Sequence, residues 1–167
     1  MVKIVNDDLA MLMGCTFNDI ELKNKLIASD AGGDDEFGYS VAMSGDYVIV
    51  GSRYDDDLAD DSGAAYVFKK NPTGGFEQVS KMKASDVEAY EYFGSSVAIS
   101  GDYAVVGGYG QNGAGLEQGA AYVFKKNSSG AFDEIDVLTA SDAQDDDYFG
   151  ASVAISGDYV VVGANGE

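Results

Sequence analysis

The stretch FGYSVAMSGDYVIVG, from Phe37 to Gly51, returns as FGSSVAISGDYAVVG from Phe93 to Gly107 and as FGASVAISGDYVVVG from Phe149 to Gly163. Each copy begins 56 residues after the one before. A second segment keeps the same distance: Gly63 to Lys70 reads GAAYVFKK, and so does Gly119 to Lys126. Fixed spacing of this kind marks a repeat architecture in which each unit buries its apolar face against its neighbours. The register extends back from Phe37, with Leu9–Met13 matching Ala65–Lys69 and Ile20–Asp30 matching Phe76–Asp86. The chain therefore reads as one repeat domain, with units at 37–92 and 93–148 and a split unit made of 149–167 together with 1–36.

Each unit holds four apolar runs separated by Gly, Asp, Asn and Ser clusters, the pattern of strands and turns. The first two runs meet across Ser44-Gly45-Asp46, where Gly45 can take a positive φ and Asp46 offers a local acceptor, so they form a β-hairpin. Val48-Ile49-Val50 and Tyr66-Val67-Phe68 are apolar at successive positions, so both faces of the sheet must be covered, whereas one-sided burial would alternate. Four-stranded sheets covered on both faces by copies of themselves are the blades of a β-propeller. The fold class is thus all-β, with about three blade equivalents. A β-trefoil, which also has three four-stranded repeats, is the competing architecture, but its units are shorter and its strands less fully buried. The expected strands cover 9–13, 20–27, 38–43, 47–51, 64–69, 76–83, 94–99, 103–107, 120–125, 132–139, 150–155 and 159–163.

Composition narrows the function. Of the 167 residues 46% are apolar, enough for a core that buries about 70% of the unfolded surface. The 29 acidic and 10 basic side chains give a net charge of −19, which repels nucleic acid and anionic lipid and favours cations or basic partners. With no histidine and one cysteine, Cys15, the usual zinc, haem and histidine-base chemistries lack their residues and no internal disulfide can form. Cys15 has no base beside it in sequence, which argues against a catalytic thiol. Residues 1–8 lack the apolar core of a signal peptide, and no stretch approaches the ~20 apolar residues of a membrane span.

The run Phe37 to Gly51 followed by Gly63-Ala64-Ala65-Tyr66-Val67-Phe68 resembles the FG-GAP repeat of the integrin-α type, and the likeness covers nearly the whole chain. It implies a bladed propeller in which Phe37, Phe93 and Phe149 wedge between blades and Gly38, Gly94 and Gly150 allow close backbone approach. It also implies a cell-surface or extracellular setting, and a role in adhesion. Two features depart from the family pattern. The Gly-Ala-Pro after the second strand is Gly51-Ser52-Arg53, Gly107-Gly108-Tyr109 and Gly163-Ala164-Asn165. The calcium loop between the first two strands is reduced to Ser-Gly-Asp, and one carboxylate cannot supply the roughly 6 to 8 oxygens calcium takes, so no metal is expected there.

Acidic clusters elsewhere, at Asp30–Glu36, Asp55–Asp61 and Asp142–Asp147, carry oxygens that could hold a hard cation such as calcium. The loop matching Tyr54-Asp55-Asp56-Asp57 in the next repeat has almost no carboxylates, however, so a solvated acidic loop is the preferred reading. Tyr39, Tyr54, Tyr90, Tyr92, Tyr109 and Tyr148 lie in or beside loops, where amphipathic rings serve recognition. Tyr54, Asp55, Asp56, Asp57 and Tyr109, in the loop that varies most, are the candidate ligand-binding residues; Tyr47, Tyr103 and Tyr159, present in every copy, are expected to be structural. Phosphate loops, Ser-His-Asp arrangements and cofactor fingerprints are missing. The expected function is a non-catalytic propeller module, without cofactor, that binds a protein or glycan. The alternative is a fragment of a hydrolase or lyase whose carboxylates or metal act on polysaccharide or phosphoester. Three blades are too few for a ring of four to eight, so two copies are expected to close a six-bladed homo-oligomeric ring.

Overall fold

The computed structural model describes residues 2–6, 21–110 and 117–166, and every regular element among them is a strand. Strands β1 (Val2–Asn6) and β2 (Glu21–Leu26) pair antiparallel. β3 (Ser40–Ser44), β4 (Tyr47–Ser52), β5 (Ala64–Lys70) and β6 (Phe76–Met82) form an antiparallel meander in chain order. β7 (Ser96–Ser100), β8 (Tyr103–Gly108), β9 (Ala120–Lys126) and β10 (Phe132–Leu138) form a second, and β11 (Ser152–Ser156) with β12 (Tyr159–Gly163) gives the first hairpin of a third. The hairpin register follows from its turn. Ser44 pairs Tyr47 across Gly45-Asp46, with Gly45 at φ 57°, the positive angle that suits the first centre of a two-residue hairpin.

The first strands of successive sheets lie side by side, β3 against β7 and β7 against β11, at the hub. β2 holds the place of a fourth strand of a preceding unit. The Ser29 amide donates to Gln78 Oε1, and one repeat on, the Ser85 amide donates to Glu134 Oε2 in the same relation. The strand expected at 9–13 lies outside the described residues, and the strand that pairs β2 is Val2–Asn6.

Side chains leave the sheets alternately to two interfaces, as successive apolar positions demand. Val48, Val50, Ala64, Tyr66 and Phe68 pack with Leu26 and Ala28 on one side of the first blade. Ile49, Ala65 and Val67 pack on the other with Phe93, Val97, Ile99, Ala104, Val106, Tyr122 and Phe124 of the second blade. Phe93 is fully buried, its ring 5.3 Å from Tyr122 and 6.0 Å from Phe124 by centroid. The backbone locks around it. The Phe93 amide donates to the Ser62 carbonyl (3.0 Å), the Gly94 amide to the Gly107 carbonyl (3.0 Å), and Ser40 Oγ to the Gly94 carbonyl (2.7 Å). Gly94 has φ 90°, and a Cβ on it would stand 2.3 Å from the Ala64 carbonyl oxygen, so only glycine fits. That left-handed turn is why β3, β7 and β11 begin two residues later than expected.

Burial at equivalent positions depends on whether a neighbouring blade is present. Val97 and Ile99 are 9% and 7% exposed, whereas Val41 and Met43, one repeat earlier, are 55% and 61% exposed. At the other end Val105 is fully buried and Val161 is 66% exposed. Tyr47 packs edge-on against Phe132 of the next blade at 6.0 Å, and Tyr159, with no blade beyond it, is 80% exposed. The packing expected of that tyrosine position is seen at Tyr47, whereas Tyr103 and Tyr159 are exposed. Among the described residues no helix is long and apolar enough to cross a membrane.

Phe93→Ala should cost about 3–5 kcal/mol in chemical denaturation, the range for emptying a buried aromatic site. Phe37→Ala should cost clearly less, because Phe37 is only half-buried.

Candidate functional site

The connections that enter and leave the hub strands meet in a pocket of about 380 Å³ lined by Tyr39, Ser95, Tyr109, Tyr148, Ala151 and Asn165. Tyr39, Ser95 and Ala151 each follow a Phe-Gly pair and are the same position in three repeats. Arg53, Tyr109 and Asn165 each stand two residues after the glycine that ends the second-strand motif, and Glu36, Tyr92 and Tyr148 each precede a Phe-Gly phenylalanine. The backbone at Glu36, Tyr92 and Tyr148 is left-handed in every copy, with φ of 53°, 56° and 56°. For a bulky non-glycine residue that conformation costs of order 1–3 kcal/mol and persists only where the surroundings fix it. The fold thus holds three side-chain positions per repeat at one rim.

These side chains form a continuous string. The Arg53 guanidinium lies 3.9 Å from the Tyr39 ring centroid and 4.4 Å from that of Tyr54, the arrangement of a cation between π faces. It also donates from Nε to Glu36 Oε2 (2.7 Å) and from Nη1 to the Tyr109 hydroxyl (3.3 Å). Tyr54 meets Tyr92 at 5.7 Å, Tyr92 meets Tyr109 at 5.1 Å, and Tyr109 meets Tyr148 at 6.1 Å. Burial is the main cause that raises the Tyr92 and Tyr109 hydroxyl pKa values, so both phenols are neutral donors at physiological pH.

The acidic candidates lie apart from this string. Asp55 is buried, contrary to the expectation of a solvated loop. It accepts from the Tyr66 hydroxyl at 2.6 Å and from Lys81 Nζ at 2.8 Å. Lys81 also bonds Asp30 (2.7 Å) and Asp57 (2.5 Å). Burial by itself lowers the Lys81 pKa, but the hydrogen bonds to Asp30, Asp55 and Asp57 outweigh it and raise the value. The three carboxylates are spaced like metal ligands, and a lysine ammonium stands among them. Asp56 caps the Asp61 amide at 2.7 Å. Of the candidates read from sequence, Tyr54 and Tyr109 belong to the aromatic string, and Asp55, Asp56 and Asp57 serve loop and blade structure.

The sequence profile of the FG-GAP repeat matches residues 21–68, 76–124 and 132–167. The chain belongs to the FG-GAP repeat family. Among solved structures it is similar to the periplasmic gluconolactonase PpgL of Pseudomonas aeruginosa, at 18% identity and a TM-score of 0.44, over 70% of this chain and 31% of that one. The chain therefore spans about a third of the length of that protein. No curated protein sequence matches it.

Within this FG-GAP chain the sequence reading missed Ser95, Ala151 and Asn165 as pocket residues, and Arg53 as a member of the string beside them. The signal was present as the positions at which otherwise constant copies differ: Tyr, Ser and Ala after Phe-Gly, and Arg, Tyr and Asn after the second strand.

It also missed Glu91, which is fully buried between the blades and aligns with Asp35 and Asp147. Its Oε2 accepts from the Glu88 amide at 3.2 Å, while its Oε1 has no hydrogen-bond partner. Burial is the main cause that pushes its pKa up to about 7, opposed in part by the nearby Tyr122 hydroxyl and the Glu88 amide.

Lys81→Met should destabilise the protein by roughly 3 kcal/mol, because it leaves the buried Asp55 carboxylate without its cation; Lys69→Met, at an exposed site, should stay within about 0.5 kcal/mol. Glu91 makes a separate prediction. A group whose pKa is raised on folding favours the folded state below its unfolded value and loses that advantage as pH rises through the folded value. In metal-free buffer the wild type should lose on the order of 3 kcal/mol of stability between pH 4.5 and pH 7.5. Glu91→Gln should flatten that profile, as read by urea melts at each pH.

Proposed function

We propose that this chain is a non-catalytic binding module whose ligand sits at the hub rim, on the string formed by Tyr39, Arg53, Tyr54, Tyr92, Tyr109 and Tyr148. One observation carries the reading: the residues lining the pocket are those in which the repeats differ, while the strands that present them are nearly identical. A constant scaffold with variable side chains converging on one concavity is the arrangement of a recognition surface. A protein segment carrying Lys or Arg side chains fits best. The net charge of −19 attracts cations, and Arg53, held between two tyrosine rings, is an internal example of the contact such a side chain would make. The absence of tryptophan makes a glycan the weaker fit.

The same reading extends to adhesion through a closed ring. Val41 and Met43 at one end, and Tyr159 and Val161 at the other, are the faces that neighbouring blades cover at equivalent positions inside the chain. A second copy, adding its split blade of 149–167 and 1–36 head to tail, would cover both and give six blades.

Arrays of basic peptides and of neutral glycans test the ligand: binding to the peptides that weakens as salt rises, and that falls at least tenfold in Tyr109→Ala and Tyr148→Ala without a change in melting temperature, supports it. Binding confined to glycans overturns the ligand class. For the ring, light scattering should give the mass of two chains, and Met43→Asp should give one; a wild-type monomer at micromolar concentration overturns closure.

A further inference from the structure

The first and second blades differ in one buried cluster. In the first, the Tyr66 hydroxyl stands among Asp55, Asp30 and the Lys81 ammonium, which bonds both carboxylates. Lys81 is the cross-strand partner of Tyr66. In the second, the partner of Tyr122 is Val137, so the ammonium is gone. The anionic half of the cluster remains. Asp86 is the counterpart of Asp30, and the Glu91 and Asp86 carboxylates both lie near the Tyr122 hydroxyl, where they add to the effect of burial in holding its proton. Glu91 is one methylene longer than the aspartates aligned with it, and that extra reach carries Oε1 into the interior beside Gly108, 3.5 Å from where a Cβ on that glycine would stand.

Glu91 Oε1 and the Tyr122 hydroxyl, both on fully buried residues, lie near each other without forming a hydrogen bond of good geometry to any group. Orphaned buried oxygens are costly. The first blade meets the same demand with a cation on a side chain.

We propose that Glu91, Asp86 and the Tyr122 hydroxyl bind a hard divalent cation, calcium before magnesium, in the place that the Lys81 ammonium holds one repeat earlier. Two carboxylates and a hydroxyl are hard oxygen donors matched in charge to a divalent ion. Asp86 is exposed, so water can complete the irregular shell that calcium accepts and the strict octahedron of magnesium does not. The site lies between the blades at the level of β8 and β9, away from the Ser-Gly-Asp hairpin turns. It is independent of the ligand proposed for the hub.

Calorimetric titration of the full chain with calcium chloride, against magnesium chloride at equal ionic strength, tests it. The expected result is one calcium bound per chain, with a Kd on the order of 10⁻⁴–10⁻³ M as in extracellular calcium modules, and a higher melting temperature. Glu91→Gln should weaken binding at least tenfold. Val137→Lys, which supplies the ammonium of the first blade, should raise the melting temperature in chelator and abolish the calcium response. Asp158→Asn, an exposed hairpin carboxylate, should keep it. A calcium response equal in all four proteins would be charge screening and would overturn the proposal. So would no response in the wild type, which would mean that Glu91 is simply held protonated.

Discussion

The carbonyl of Gly94 joins one blade to the next. It accepts from Ser40 of the preceding hub strand, while the amide of the same residue donates to Gly107 of its own blade and the Phe93 amide donates to Ser62. Three hydrogen bonds therefore cross or brace the junction within two residues, and the Phe93 ring fills the space between the sheets that they align. The next junction repeats it, with Ser96 Oγ donating to Gly150 O at 2.7 Å. The close approach leaves no room for a side chain. A Cβ on Gly51 would lie 1.9 Å from the Gly94 oxygen, which makes the glycine that ends the second-strand motif as obligatory as the one in Phe-Gly. Blade spacing, hub packing and the rim above it all depend on this contact.

With the junction held by backbone and serine, the loop positions around the hub are free to vary. The repeats use that freedom unevenly. Unit 37–92 contributes Tyr39, Arg53, Tyr54 and Tyr92, unit 93–148 Tyr109 and Tyr148, and the segment from 149 on Asn165. The left-handed backbone before each Phe-Gly aims a side chain from the same place three times, irrespective of which residue stands there. Burial works the same way on charge: in one copy the buried carboxylate, Asp55, bonds a lysine ammonium, and in the next the buried carboxylate, Glu91, has an oxygen without a hydrogen-bond partner of good geometry.

Most of the fold was legible in the sequence because it is written several times. The 56-residue period, the positive-φ turn at Gly45 and the two-sided burial of Val48-Ile49-Val50 all follow from pattern alone, and the hydrogen bonds and core clusters agree with them. Strand starts were misjudged by two residues, since an apolar Phe-Gly reads as strand until the left-handed turn at Gly94 is seen. The site was half legible. Tyr54 and Tyr109 stood out as aromatics in a variable loop, but Ser95, Ala151 and Asn165 are small or plain residues whose place in the pocket comes only from the meeting of three hub strands. Asp55 was misread because local charge density suggests solvent, whereas its burial is decided by Lys81, 26 residues further on.

The hydrogen-bonded joint between blades is made of main-chain groups, one serine and one phenylalanine ring, and the apolar side chains packed around it are nearly the same from copy to copy. Neighbouring blades consequently recognise a shape common to all units, not a particular partner. The linear order of the units is then what decides which rim residues become neighbours, so that shuffling or duplicating whole units in a gene would compose a new binding surface while every joint stayed the same.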